Sequence, residues 1–218
     1  MKYNKRFDRT RLIFGDDFEK IFDKKVLVCG LGGVGGICFD ALYRNGIDVN
    51  GVDYDIFEPS NQNRQIHSNN VGDKKAAVFE EIYNKKCFDF KISKEFFEKF
   101  SNELKKYSVI IDCVDDVNAK VELAFFTHFN KIKFFSSGGG AKKLDISKIK
   151  IANYDKTYGD TLCKKFKTEL KKRNFSGKFK MVFSDEQPAC VELGSFMPVT
   201  ASFGLYLASL CIDYLRKK

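Results

Sequence analysis

Glycines spaced to let a backbone close on a phosphate stand early in the chain. Gly30, Gly32, Gly33 and Gly35 punctuate the run Gly30-Leu31-Gly32-Gly33-Val34-Gly35, directly after the apolar stretch 26–29. A strand that ends in such a cluster and opens a helix offers bare N–H groups at a helix N-terminus, where an anion is stabilised. The pattern fits NAD, FAD, S-adenosylmethionine and ATP alike. Asp53, 18 residues after Gly35, stands where a carboxylate takes ribose hydroxyls. Asp55, Asn61, Arg64 and Lys75 follow within 22 residues of Asp53, and a dinucleotide has no use for them. They suit a triphosphate whose pyrophosphate leaves, because cations must hold the β and γ phosphates. Outside that setting Lys75 would read as a solvated lysine on a charged helix face. Asp115, just past the apolar run 109–113, would read as the cap of the helix behind it.

The elements that must position these residues alternate between short apolar runs and amphipathic stretches, as a βαβ chain does. The pattern predicts strands at 26–29, 49–53, 87–92, 109–113 and 132–136, the last leading to Gly138–Gly140. Helices are predicted over 34–45, 72–86, 94–106 and 117–129. The fold class expected is α/β, with a Rossmann-like, doubly wound, largely parallel sheet in the N-terminal part. Beyond Gly140 the texture changes to a strand near 146–152, a basic helix over 160–173 and a long apolar helix over 193–212. We read the chain as one domain over 1–218, with a nucleotide-binding part at 1–140 and a basic segment plus C-terminal helix at 141–218.

With 218 residues, 44% hydrophobic and 23 of them Phe, the chain can bury a core and is not a disordered segment. The apolar run 193–212 is interrupted by Gly194, Pro198 and Gly204 and reads as a buried helix rather than a membrane span. The N-terminus has no apolar stretch after its charges, so no signal peptide is expected. Seven Cys without regular spacing suit a reducing, cytoplasmic setting. The net charge of +9 is localised: residues 142–180 hold thirteen Lys/Arg against four acids, and the rest of the chain balances. Charge confined in this way marks a surface for something anionic.

The stretch Asp53-x-Asp55-x(4)-Ser60-Asn61-x-x-Arg64-Gln65, followed by Val71-Gly72-x-x-Lys75, resembles the ubiquitin-activating-enzyme superfamily of adenylating enzymes. Arg6-Phe7-x-Arg9 looks like that family's arginine segment, and Asp115 matches its Mg²⁺ aspartate. The resemblance implies ATP bound over Gly30, Gly32, Gly33, Gly35, Asp53 and Asp55. It implies phosphate neutralisation by Asn61, Arg64 and Lys75, and Mg²⁺ at Asp115. It also implies a homodimer in which Arg9 reaches the partner's ATP site.

Cysteines 29, 38, 87, 113, 163, 190 and 211 contain no C-x-x-C pair, so no zinc is expected. Residues 6–10, 63–67, 137–140, 155–162 and 182–186 look like the branch of tRNA threonylcarbamoyladenosine dehydratases. That branch implies adenylation of a threonyl carboxylate and ring closure by an internal nucleophile, with no enzyme cysteine needed. Its tRNA anticodon arm would meet Lys164, Lys165, Lys167, Lys171, Lys172 and Arg173. Tyr154, Tyr158, Phe166, Phe175 or Phe179 would be available for stacking, though core packing suits most of them better, Phe166 on the apolar stripe above all. The alternative activity is adenylyl transfer to a small sulfur-carrier or ubiquitin-like protein, and a sulfur-relay protein is a possible partner. An inactive nucleotide-binding module is disfavoured by the complete set Asp53, Asn61, Arg64, Lys75 and Asp115. Cys163 is an acyl acceptor only if its thiol is activated, and otherwise a packing residue; Cys190 is similarly ambiguous. His67 lies near enough to Arg64 to reach the site, and His128 reads as structural.

Overall fold

The structure, a computed structural model, describes residues 5–217. Two short helices, α1 (Asp8–Phe14) and α2 (Asp17–Ile21), precede β1 (Lys25–Cys29), α3 (Gly35–Arg44) and β2 (Asp48–Val52). The chain continues through α4 (Lys75–Tyr83), β3 (Cys87–Phe88), α5 (Lys94–Leu104), β4 (Val109–Asp112), α6 (Val117–Phe129) and β5 (Lys133–Ser137). It closes with β6 (Ile149–Asn153), α7 (Thr161–Lys172), β7 (Lys180–Ser184) and α8 (Met197–Arg216).

These strands form one seven-stranded sheet in the order β3-β2-β1-β4-β5-β7-β6. Every pairing is parallel except β6 against β7, so the fold is the expected α/β sheet wound on both faces. The side chains show why. On β1, Val26 and Val28 face one layer while Leu27 and Cys29 face the other, and all four are fully buried. A strand buried on both faces needs an unbroken apolar run rather than alternation. The first layer carries α2, α3, α4 and α8, and the second carries α5, α6 and α7.

Several boundaries differ from the sequence expectation for local reasons. The helix predicted over 72–86 is only Lys75–Tyr83, because Gly72 sits at φ +93°, Lys74 is extended and Asn84 ends the helix left-handed. The strand predicted over 87–92 is two residues long, an edge strand paired only through Gly51 and Val52. The apolar helix begins at Met197, after an extended Phe196, with Pro198 in its first turn. Leu193, placed in that helix by its composition, is 81% exposed in the loop before it. The strand β7 and the helices α1 and α2 carry too few periodic residues to stand out in the sequence.

By length and composition α8 is apolar enough to cross a membrane, yet half of that stretch is buried inside the molecule. Val199, Phe203, Leu207 and Cys211 form its inward stripe. Gly204 lets it lie against α3, since a Cβ there would sit 2.4 Å from the Val34 carbonyl oxygen. Gly204→Ala should therefore force the two helices apart, at a cost of roughly 1–3 kcal/mol. For a chain of this size the unfolding midpoint should fall by about 2–4 °C per kcal/mol. Thermal unfolding by circular dichroism measures it, and an unchanged midpoint would mean that the helices are not in this contact.

Candidate nucleotide and catalytic cleft

A cleft of about 760 Å³ opens at the C-terminal ends of β1, β2, β4 and β5, where an open parallel sheet takes its ligand. Its floor is the glycine run after β1. Gly30 lies at φ +86°, and a Cβ on Gly35 would stand 1.7 Å from the Gly30 carbonyl oxygen, so the turn closes only with glycine there. Gly32 and Gly33 also line the cleft.

Asp53 holds this turn in place. Its Oδ2 accepts from the Leu31 N–H at 2.6 Å and its Oδ1 from the Asp55 N–H at 2.9 Å. Burial pushes its carboxyl pKa up; the Lys75 charge and the two backbone donors act in the opposite direction. A carboxylate with two bonds made still has lone pairs to offer a hydroxyl. Lys75 is buried, against the solvated position its helix suggested, and its Nζ lies 3.3 Å from Asp55 Oδ2.

The segment after β2 brings the remaining polar groups to the same wall. Asn61 is buried and its Oδ1 accepts from the Glu58 N–H. Arg64 donates from NH1 to the Ser60 carbonyl and to Asn63 Oδ1, which fixes the guanidinium along the cleft. Gln65 lines the cleft with a buried Oε1 that has no hydrogen-bond partner among the described residues. Such an orphan acceptor marks a place where a donor is expected.

Asp115 and Asp116 divide two roles that the sequence left to one residue. Asp116 Oδ1 accepts from the Ala119 N–H at 2.9 Å and caps α6. Asp115 is exposed on the cleft rim and makes no hydrogen bond or ion pair among the described residues. Asp55, partial burial and Asp115 together push the Tyr54 phenol up, which registers the negative field along this rim.

The opposite wall was only partly legible. Ser137 and Gly138–Gly140 line it, as do Lys142, Lys143 and Asp160. Lys143 is buried and donates to the Glu186 carbonyl, and the Glu186 carboxylate in turn accepts from the Leu144 and Asp145 N–H groups. Phe90, Ile92, Val114 and Ala119 add an apolar side on which a flat ring can rest. Phe90 and Ile92 fell in the predicted strand, and their alternation was the signal available.

Other nominated residues lie elsewhere. Arg9 is exposed on α1 and does not line the cleft of its own chain. His67 turns away, bonding the Tyr83 hydroxyl at 2.9 Å and packing edge-on against Phe79, so it does not reach the site. Cys163 is fully buried against Gly138 and burial raises its thiol pKa, which corrects the acyl-acceptor reading. Cys190 is exposed on the loop beside the cleft. Of the basic-helix set, Lys164, Lys165 and Lys171 are exposed without an ion pair among the described residues. Lys167 instead donates to the Thr157 carbonyl, Lys172 pairs with Glu169 and Arg173 pairs with Glu122. Tyr154, Phe175 and Phe179 pack on one another, while Tyr158 is 54% exposed.

The division between the two aspartates has a direct check. Asp116→Ala should cost about 1 kcal/mol through loss of the cap. Asp115→Ala should stay within about 0.5 kcal/mol of the parent. Urea denaturation reads both, and the opposite ranking would place the cap on Asp115.

Comparison with known proteins follows the same geometry. The protein-family model described as the ThiF family matches residues 3–218. The tRNA threonylcarbamoyladenosine dehydratase of Haemophilus influenzae is 31% identical, with 99% of this chain and 95% of that protein aligned. The protein of the same name from Escherichia coli is 32% identical over 84% of this chain and 75% of its own length. The crystal structure of the Escherichia coli tRNA N6-threonylcarbamoyladenosine dehydratase in complex with ATP superposes with a TM-score of 0.91 at 29% identity. That match covers 98% of this chain and 94% of the other. Escherichia coli MccB, 16% identical with a TM-score of 0.65, shares the fold. From the glycine turn to the last helix, the chain belongs to the ThiF family.

Proposed function

We propose that this chain is an ATP-dependent tRNA threonylcarbamoyladenosine dehydratase. The observation that carries the reading is one cleft gathering Gly30, Gly32, Gly33, Asp53, Asn61, Arg64, Lys75 and Asp115, in a chain similar over nearly its whole length to enzymes of that name. The apolar side at Phe90, Ile92 and Val114 takes the adenine, and Asp53 accepts from the ribose hydroxyls. The N–H groups of the glycine turn receive the phosphates at the start of α3.

Chemistry then proceeds in two displacements. A threonyl carboxylate oxygen bonds to the α-phosphorus while the bond to pyrophosphate breaks, giving an acyl-adenylate. Arg64 and Lys75, with Asn61, neutralise the charge that grows on the departing oxygens. An internal nucleophile of the threonylcarbamoyl group then bonds to the activated carbonyl carbon and AMP leaves, closing a ring. The net change in the tRNA is the loss of one water. Orientation alone can supply about 7–11 kcal/mol of the second barrier, so no enzyme nucleophile is required.

Mg²⁺ fits this cleft through Asp115. Among the described residues no three His, Cys, Asp or Glu converge, and of the carboxylates that line the cleft Asp115 alone makes no hydrogen bond or ion pair with them. Mg²⁺ is commonly held that way, by one or two carboxylates with phosphate oxygens and water. When bound, it offsets charge on the leaving pyrophosphate.

Partners follow from what stays exposed. No residue of α1 is buried, and Leu12 and Ile13 are 85% and 79% exposed beside Arg9. These support a homodimer in which α1 is covered and Arg9 enters the partner's cleft. A sulfur-relay protein would find Cys190 as the exposed thiol among the described residues. The seven cysteines are all free, which suits a cytoplasmic setting with the tRNA.

Incubation with ATP, Mg²⁺ and threonylcarbamoyl-modified tRNA should yield AMP, pyrophosphate and a nucleoside lighter by one water. Mass spectrometry of the digested tRNA decides it. No mass loss, or adenylation of a carrier protein instead, would refute the reading. Asp115→Ala should lose Mg²⁺-dependent pyrophosphate release while keeping its fold. Lys164→Glu with Lys165→Glu and Lys171→Glu should weaken tRNA binding with ATP affinity unchanged; a retained tRNA affinity would move the RNA to another face.

A further inference from the structure

A second groove, about 510 Å³, lies at the other end of the sheet from the nucleotide cleft. It is formed where α6 ends, β5 begins and the chain leaves α7. Phe129, Lys131, Lys133 and Lys178 line it, with His128 and Phe175 between them, and no carboxylate does. Lys131 and Lys178 are exposed and make no ion pair or hydrogen bond among the described residues. The Lys133 ammonium lies over the rings of Tyr214 and Phe135, at 5.0 and 5.1 Å, and has no carboxylate partner among the described residues. Phe129 is 73% exposed, a large ring left in water at the end of a helix whose other face is core.

The position of this groove links it to the cleft. Asp160, Thr161 and Leu162, at the start of α7, line the cleft, whereas Phe175 and Lys178, just past its end, line the groove. The helix between them has 12 residues, about 18 Å of rise. Along it stand Lys164, Lys165 and Lys171, the cations of the basic helix without an ion pair among the described residues. Exposed cations thus stand on the helix that runs from one depression to the other.

We propose that this groove is a second RNA site, in which Lys131, Lys133 and Lys178 neutralise backbone phosphates and Phe129 stacks on an unpaired base. An acidic protein could answer the lysines, but it has no use for an exposed aromatic face among them. Nucleic-acid sites without base readout combine these two parts, cations that follow the backbone and a ring that accepts any base. The strand it holds is part of the tRNA whose modified nucleoside enters the cleft, so this assignment of the RNA rests on the function proposed above.

Lys131→Glu with Lys178→Glu, and separately Phe129→Ala, alter exposed positions outside the catalytic cleft. Binding is measured with an unmodified tRNA transcript at several salt concentrations, with polyglutamate as a second probe. The double variant should flatten the log–log salt dependence of tRNA affinity by about 1.4 to 1.8, the share of two phosphate contacts. Phe129→Ala should weaken tRNA roughly tenfold without changing that slope, since one stacked base is lost. Turnover of modified tRNA should show a raised KM and an unchanged kcat in both. Unchanged tRNA affinity in both variants would overturn the proposal. So would a double variant that weakens polyglutamate and tRNA alike while Phe129→Ala changes neither. Failure here with water loss intact leaves the dehydratase reading standing. Groove-dependent tRNA binding without water loss would sink that reading and keep the groove.

Discussion

Beneath the cleft lies an ion pair sealed from water, and the geometry above it depends on that pair. Lys120 on α6 and Asp112 at the end of β4 both have fully buried side chains, with Nζ 3.0 Å from Oδ2. The same Nζ donates to the Ser137 carbonyl at 2.8 Å, and Asp112 also accepts from Ser136 Oγ and the Val114 N–H. Burial pushes the Asp112 carboxyl up, and the Lys120 charge with these donors opposes it. A buried pair gains little net stability over apolar replacements, but losing one partner leaves a charge stranded at a cost of about 3–5 kcal/mol. What this pair supplies is position. It joins α6, the end of β4 and the end of β5, which carry Asp115 and the glycine run 138–140 on the cleft wall.

A second knot of the same kind closes the other side. Asp53 binds the glycine turn to the segment after β2, and Lys75 approaches from α4 through Asp55. The two knots set the distance between the glycine turn and the rim aspartate. On the proposed reading, charge on a triphosphate would meet groups that the fold itself holds in place, the arrangement that best stabilises a transient charge.

How much of this was legible depended on whether a residue's role is local. Glycines after a strand and an acid at the end of the next strand are dictated by backbone geometry, and Gly30–Gly35 and Asp53 stand where their spacing put them. Helix 117–129 matched α6, which Asp116 caps at its start and Asn130 ends. Lys120 escaped notice for the opposite reason. A lysine on a helix reads as solvated unless its partner is known, and Asp112 and Ser137 come from two different strands. Its helix face alone would misplace Lys75 in the same way; the motif nominated it for the site, and it lines the cleft, buried. Asp115 and Asp116 show the limit within two residues: the chain must cap α6, and only the backbone direction decides which carboxylate does so. Edge features such as β3 and the true start of α8 were set by tertiary packing and by an extended Phe196.

The net charge of +9 illustrates how a composition signal is redistributed by folding. Within the basic segment, Lys143 is buried under the Glu186 backbone, Lys142 and Lys167 hold carbonyls, and Lys150 pairs with Asp185. Lys172 pairs with Glu169, and Arg173 pairs with Glu122 from outside the segment. Those cations serve the fold, and exposed pairs of this kind add little to stability while they cancel the local field. The field that reaches solvent therefore comes from fewer lysines than the sequence count suggests. A polyanion follows uncompensated charge, whatever the total, and here that charge runs beside the catalytic cleft along α7. A face built this way can draw in a long anion while leaving Arg64 and Lys75 in the cleft free for a different, smaller one.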